Sequence, residues 1–134
     1  MKEIPIVIIG GIPMVYVKLW SRSSKSYKTI LLTLDTGAAV TTISREIFGF
    51  LGYSMHTANK KRIITASGPE YVDTVILDKV MLANFEYNDV EVYAHTFPIE
   101  SFSIGVVGMD ILSSYDLFIS FQQKFLRLSP ISDY

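Results

Sequence analysis

The sequence contains no cysteine, which excludes a disulfide framework, a zinc site with thiolate ligands and a cysteine nucleophile. It has two histidines, His56 and His95, and these alone are too few for a histidine-based metal centre. Charged residues make up 19% of the chain and the formal net charge is −1, so no overall field would draw it onto nucleic acid or an anionic membrane. We therefore expect neither nucleic acid nor a membrane among its partners.

The sequence also lacks an apolar run long enough to span a membrane as a helix. Residues 4–17 are strongly apolar, but the run is shorter than the ~20 residues of a membrane-spanning helix and is broken by Gly10 and Gly11. Lys2 is followed by Glu3 and no A-x-A cleavage pattern appears, which disfavours the alternative of a secretory signal. The Gly-Gly pair is more typical of a turn between buried strands. We expect a cytoplasmic protein.

Apolar residues are abundant, at 49% of 134 residues, and this length suits one domain spanning residues 1–134. β-branched and aromatic runs separated by turn residues predict strands. The predicted strands are Met14–Trp20, Tyr27–Leu34, Arg62–Ala66, Tyr71–Leu82, Phe85–Ala94, Ile104–Val107, Asp116–Phe121 and Phe125–Leu128. Turn residues predict a hairpin tip at Ser67-Gly68-Pro69 and a turn or bend at Tyr87-Asn88-Asp89.

Two segments have short helical patterns. Ser44–Leu51 has Ser44 as a plausible N-cap and Gly52 as a stop, and Met109–Ser114 begins with Asp110 in its first turn. Many short strands with two small helices indicate an all-β fold built as a small closed barrel.

One segment suggests chemistry, Asp35-Thr36-Gly37-Ala38, which directly follows an apolar strand. An acidic residue in that position is costly unless it is hydrogen-bonded or used. The hydroxyl of Thr36 can brace a tight loop, and Gly37 allows a close backbone approach or unusual backbone angles. Taken alone, the Asp-Thr-Gly tripeptide also fits an ordinary β-turn.

A second segment repeats the same plan. In Ile104–Leu112 an apolar strand again runs into a glycine, Gly108, and then into a short helix. The repetition indicates two related halves in one barrel. Between them, Ile64–Pro69 forms a candidate hairpin tip.

With these three features the sequence resembles the retropepsin-like aspartic proteases, from about Val15 to Leu128. It is closer to the cellular, single-domain microbial proteins than to the retroviral enzymes. Retroviral proteases carry an Asp after D-T-G-A and an Arg after the apolar-apolar-Gly motif, where this sequence has Ala39 and Met109. The matching residues are Asp35, Thr36, Gly37 and Ala38 for the catalytic D-T-G-A, Thr65, Ala66, Ser67 and Gly68 for the flap, and Val106, Val107 and Gly108 for the apolar-apolar-Gly motif.

The resemblance implies a small closed barrel of the retropepsin type and an aspartic endopeptidase without metal or cofactor. Such enzymes need two carboxylates that share one proton, and this sequence has one D-T-G. A homodimer with Asp35 from each chain is therefore implied, with Thr36 bracing the two loops. Gly37 would accept substrate backbone contacts, and the flap would close over a polypeptide bound extended. Apolar side-chain pockets would be lined by Val40, Ile104 and Val106.

Two other functions stay open at this point. The chain could be a catalytically inactive retropepsin-fold module for dimerisation or peptide binding, since fold does not decide function. It could also be an unrelated small β-barrel with an accidental D-T-G turn. For Asp110, a helix-dipole or capping role is favoured over a catalytic one. Met1–Ile9 is interpreted as an edge strand that completes a dimer.

Overall fold

Strands make up most of the chain, as the apolar patterning predicts. The computed structural model describes residues 1–57, 59–98 and 100–131. In chain order its elements are β1 (Lys2–Pro5), β2 (Val7–Ile9), β3 (Ile12–Ser21), β4 (Ser26–Leu34), β5 (Thr42–Ser44), α1 (Arg45–Leu51), a short 3-10 helix (Met55–Thr57), β6 (Asn59–Thr65), β7 (Gly68–Leu82), β8 (Phe85–His95), β9 (Gly105–Val107), α2 (Met109–Leu112), β10 (Tyr115–Ser120) and β11 (Phe125–Pro130).

Six strands close into a ring. The larger sheet has the order β2-β3-β4-β9-β5-β8-β7-β6, and a further pairing of β3 with β7 joins Lys18 to Met81 and Leu19 to Val80. Side chains from different strands of the ring, such as Leu32 and Leu77, are wholly buried in the core. The ring and the two short helices confirm the predicted all-β fold class.

The two chain ends form a smaller sheet with the order β1-β11-β10. β1 pairs antiparallel with β11 of the same chain, from Lys2↔Leu128 to Pro5↔Phe125. β1 and β2 both lie at edges, but in different sheets, so Met1–Ile9 is not the single edge strand predicted. β2 is an edge strand of the larger sheet and is only half-buried, so the prediction of buried strands on both sides of Gly10-Gly11 was wrong for the first of them. In the described part of the chain, no helix has the length and apolarity to cross a membrane.

Both predicted helices are present. α1 has Ser44 at its N-cap position, although the hydroxyl makes no capping hydrogen bond. Its C-cap is Gly52, whose left-handed backbone lets its amide donate to the carbonyl of Gly49 at 3.1 Å. α2 ends at Leu112, slightly before the predicted Ser114. Each helix buries two apolar side chains against the ring.

The predicted interruption at Tyr87-Asn88-Asp89 was wrong as a turn. β8 runs without a break, and its register with β7 is the same on both sides of Asp89, from Leu77↔Val90 to Lys79↔Asn88. Of these three residues, Asp89 takes a positive φ of 51°, which is a local bend within the strand. The ladder of hydrogen bonds on each side outweighs the weak strand preference of Asn and Asp.

Candidate active site

Asp35 begins a loop at the end of β4. β4 pairs in parallel with β9, so that Thr33 lies opposite Val106 and Leu34 opposite Val107. The amide of Asp35 continues this ladder by donating to the carbonyl of Val107 at 3.1 Å. Asp35 itself is half-buried. The loop therefore starts from the wall of the ring with its acidic residue at the boundary of the core.

The next residues form a tight turn around the Asp35 carboxylate. Its Oδ1 accepts a hydrogen bond from the amide of Gly37 at 2.9 Å. A Cβ at Gly37 would lie 3.3 Å from that oxygen, and the φ of Gly37 is not positive. Of the two uses predicted for this glycine, the structure has the close approach. Thr36 and Gly37 are exposed, and Ala38 is half-buried.

Gly108, which follows β9, packs directly against the backbone of the Asp35 loop. A Cβ at this position would lie 2.7 Å from the carbonyl oxygen of Ala38, so only glycine fits. The amide of Met109 donates to that same oxygen at 2.8 Å, and the amide of Asp110 donates to Ala39 at 3.1 Å. The structure thus brings Val107 and Gly108 into direct contact with the Asp35 loop.

Thr41 and Asp110 hold the far end of the loop. The Thr41 hydroxyl donates to Asp110 Oδ1 at 2.7 Å, and the Thr41 amide donates to Oδ2 at 3.0 Å. Asp110 Oδ1 also accepts from the amide of Ile111 in α2 at 3.0 Å. Sequence reasoning missed Thr41, because no motif marks it and its partner is 69 positions away.

The predicted flap is the hairpin of β6 and β7. Thr65 pairs with Gly68, so the two-residue turn is Ala66-Ser67, one position earlier than predicted. The Thr65 hydroxyl donates to the carbonyl of Gly68 at 2.9 Å and accepts from the amide of Ser67 at 3.2 Å. Pro69 belongs to β7, where only β6 is paired with it and no partner needs its missing N–H. None of the described residues' hydrogen bonds joins the flap tip to the Asp35 loop.

The base of the flap is held by Asp73. Its carboxylate pairs with Lys60 across the hairpin, at 2.9 Å, and with Arg45 at the start of α1. The hydrogen bonds from Lys60 and then Arg45 lower the pKa of Asp73 below its ordinary value. Asp73 is buried while Arg45 is half-buried and Lys60 is exposed, and the two contacts tie the hairpin to α1.

Asp73→Asn is expected to lower the free energy of unfolding by about 1 kcal/mol at about pH 6. Because the pKa of Asp73 is depressed in the folded state, its charged form stabilises the fold above the unfolded-state pKa and loses that effect as pH falls through the folded-state pKa. The difference between wild type and variant should therefore shrink in acid. Urea unfolding of wild type and variant, at about pH 6 and again in acid, measures this difference. Asp116→Asn, on the exposed face of β10, is the control. An equal loss at both pH values would contradict an ionic role for Asp73.

A model of the aspartyl protease family matches residues 25–111. This span begins before the Asp35 loop, includes the flap hairpin and ends just past Gly108. It covers well over half of the chain. The chain belongs to the aspartyl protease family.

The fold of this chain is similar to that of two solved structures of proteases. It is similar to a retropepsin-like aspartic protease from Rickettsia conorii, with a TM-score of 0.68, 20% identity, and coverage of 93% of this chain and 88% of that one. It is also similar to EIAV protease in complex with an inhibitor, with a TM-score of 0.54, 16% identity, and coverage of 78% and 88%. A comparison with curated protein sequences gives no match. At sequence identities this low, the similarity to these two structures shows a shared fold only.

Two clefts share Phe97, Ser101 and Ser103 in their walls. The first has a volume of about 400 Å³ and includes Val106 in its walls. Ile104 instead lines the second cleft, of about 500 Å³, and Val40 lines neither. The other walls of the first cleft, which sequence reasoning did not find, are Ile12, Met14, Thr33, Glu100 and Phe102.

Residues 1–57, 59–98 and 100–131 contain no group of three or more His, Asp or Glu side chains that could hold a metal ion.

Proposed function

We propose that the chain is an aspartic endopeptidase that acts as a homodimer, with one Asp35 from each chain. The observation that carries the proposal is the Asp35 loop, which holds a half-buried carboxylate on a rigid backbone support. Rigid placement of a reacting group at the end of a strand is what hydrolysis by an activated water needs.

The need for a second copy follows from the count of available carboxylates. Asp110, the acidic residue bonded to this loop, is held by Thr41 and Ile111. Asp73 is paired with two cations. The loop carrying Asp35 leaves Thr36 and Gly37 exposed beside the carboxylate, which supports the approach of an identical loop across a two-fold axis.

In the proposed mechanism two Asp35 carboxyl groups about 3 Å apart share one proton, because both cannot easily be ionised at that distance. The ionised carboxylate takes a proton from water as the water oxygen attacks the carbonyl carbon of the scissile peptide. The protonated carboxyl gives its proton to the carbonyl oxygen. The newly protonated carboxyl then gives its proton to the nitrogen, the other carboxylate takes a proton from one hydroxyl of the diol, and the C–N bond breaks to release an acid and an amine. Activity is expected on the acidic side and should disappear once the shared proton is removed.

The substrate would be a polypeptide bound in extended form. A cleft walled by strands and covered by a hairpin can hold a main chain through ladder hydrogen bonds. The flap tip, Thr65–Gly68, would cover the substrate and exclude water. The cleft of about 400 Å³ beside Val106, with apolar walls such as Ile12 and Met14, favours an apolar side chain near the cleaved bond.

The test is cleavage of an unfolded, disulfide-free protein between about pH 3 and about pH 8, over a series of enzyme concentrations. We expect fragments in acid, and a rate per chain that rises with concentration until the dimer is complete. The oligomeric state is measured by light scattering in the same buffer. Absence of cleavage by a confirmed dimer, or by two copies joined by a flexible linker if the free chain is monomeric, would contradict the proposal and favour a peptide-binding module.

A further inference from the structure

We infer that Thr41 and Asp110 are positioning residues that set the place of the Asp35 carboxylate. The inference rests on the proposed protease function and adds to it the two side chains that fix the geometry of the loop. Neither residue touches the reacting atoms in this assignment. They act on the loop that carries Asp35.

Three groups form a continuous chain of hydrogen bonds between the loop and its support. The amide of Gly108 donates to the Thr41 hydroxyl oxygen at 3.1 Å, and that hydroxyl donates to Asp110 Oδ1 at 2.7 Å. The other carboxylate oxygen of Asp110 accepts from the Thr41 amide at 3.0 Å. Thr41 uses its hydroxyl as both donor and acceptor, which neither valine nor alanine can do.

The hydrogen bonds among Gly108, Thr41 and Asp110 form a clamp on the Asp35 loop. Thr41 is 1% exposed, and its carbonyl accepts from the amide of Tyr93 in β8 at 3.0 Å. The far end of the Asp35 loop is thereby fixed to β8 on one side and to the start of α2 on the other. The near end is fixed by the bond from Asp35 to Val107. With both ends held, the carboxylate has little freedom to move.

The clamp joins two segments of the chain through one buried and one exposed side chain. Thr41 is buried at the end of the Asp35 loop, and Asp110 is exposed at the start of α2. The backbone bonds from Met109 and Asp110 to Ala38 and Ala39 join the same two segments.

Loss of the clamp should change the chemical step more than substrate binding. For Thr41→Val, kcat is expected to fall about 10- to 100-fold, because small displacements of a reacting group have effects of this size. KM should stay within about twofold, since the apolar cleft and the flap do not touch the clamp. Asp110→Asn should have a smaller effect of the same kind, because its amide retains one acceptor for the Thr41 hydroxyl. Thr41→Ser keeps the hydroxyl and should restore most of kcat.

The experiment combines kcat and KM with amide hydrogen exchange on the unliganded protein. We expect Thr41→Val to speed exchange at the amides of Gly108, Met109 and Asp110 while exchange in β3 and β4 is unchanged. Ser21→Ala is the matched control, since it removes a buried hydroxyl with comparable contacts at the far end of the β3–β4 hairpin. It should leave kcat and exchange at these three amides as in wild type.

The inference would be overturned if Thr41→Val had the kcat of wild type and the same rates of amide hydrogen exchange at Gly108, Met109 and Asp110. Faster exchange throughout the chain with a kcat loss equal to the unfolded fraction would also overturn it, because the role would then be general stability. If the wild-type protein hydrolyses nothing, the proposed function fails, and the exchange measurement still decides whether Thr41 and Asp110 hold the loop.

Discussion

Asp35→Asn is expected to reduce peptide hydrolysis by about 10³-fold or more, because asparagine can neither take a proton from water nor share one with the partner carboxyl. The fold should survive. The Asn side-chain oxygen can still accept the hydrogen bond from the Gly37 amide that Asp35 Oδ1 accepts at 2.9 Å. Urea unfolding and dimer content are therefore expected to match wild type, and the rate of fragment formation is the quantity to compare.

A mixing experiment separates a shared site from two independent ones. The wild-type concentration is held constant, above the level at which dimers form, and the Asp35→Asn variant is added in roughly ninefold excess. Subunit exchange should then cause about a tenfold loss of activity, because most wild-type chains are drawn into dimers with one carboxylate. Unchanged hydrolysis by Asp35→Asn alone would place the site elsewhere. Unchanged activity in a mixture shown to exchange subunits would contradict the two-fold site.

Gly108→Ala is expected to have the second largest effect. Its new Cβ would lie 2.7 Å from the carbonyl oxygen of Ala38 and 3.0 Å from the carbonyl carbon of Val40. Both are backbone atoms that cannot rotate away, so the Asp35 loop must shift. Overpacking of this kind costs about 1–3 kcal/mol of unfolding free energy. Displacement of the carboxylate should also reduce kcat about 10²-fold.

Gly49→Ala is the matched control for this substitution. Gly49 lies in α1, and a Cβ there would have no atom within 4 Å. Since alanine favours a helix more than glycine does, stability should stay constant or rise by up to about 1 kcal/mol. Unfolding and kcat are measured for both variants side by side. Equal behaviour of the two variants would show that the close contact at Gly108 does not hold the loop.

Local sequence patterns predict most of the strands because each pattern reports a preference that the fold also satisfies. The hairpin of β3 and β4 is an example, since two apolar runs flank a polar tip and the observed strands differ from the prediction by at most two residues at each end. β5 was not predicted. Its three residues, Thr42–Ser44, become a strand because β8 and β9 lie on either side of them. A segment so short has no pattern of its own.

The flap turn shows the limit of turn chemistry. Ser67-Gly68-Pro69 has the composition of a turn, yet the chain turns at Ala66-Ser67. Register in a hairpin is set by all of the cross-strand pairs together, and β6 and β7 pair over seven residues, from Asn59↔Thr74 to Thr65↔Gly68. The side chain of Thr65 then completes the turn by bonding to Gly68 and Ser67.

The sequence by itself determined the all-β class, the order of the motifs and the candidate acid Asp35, because these depend on local apolar patterns and on short motifs read in sequence. Only the tertiary structure decided which residues support that acid. Thr41 and Asp110 are 69 positions apart and become partners because β4 and β9 run in parallel and end side by side. The walls of the cleft beside Val106 are likewise gathered from distant parts of the chain. Contacts across such separations arise from how strands pair and pack, which no local pattern encodes.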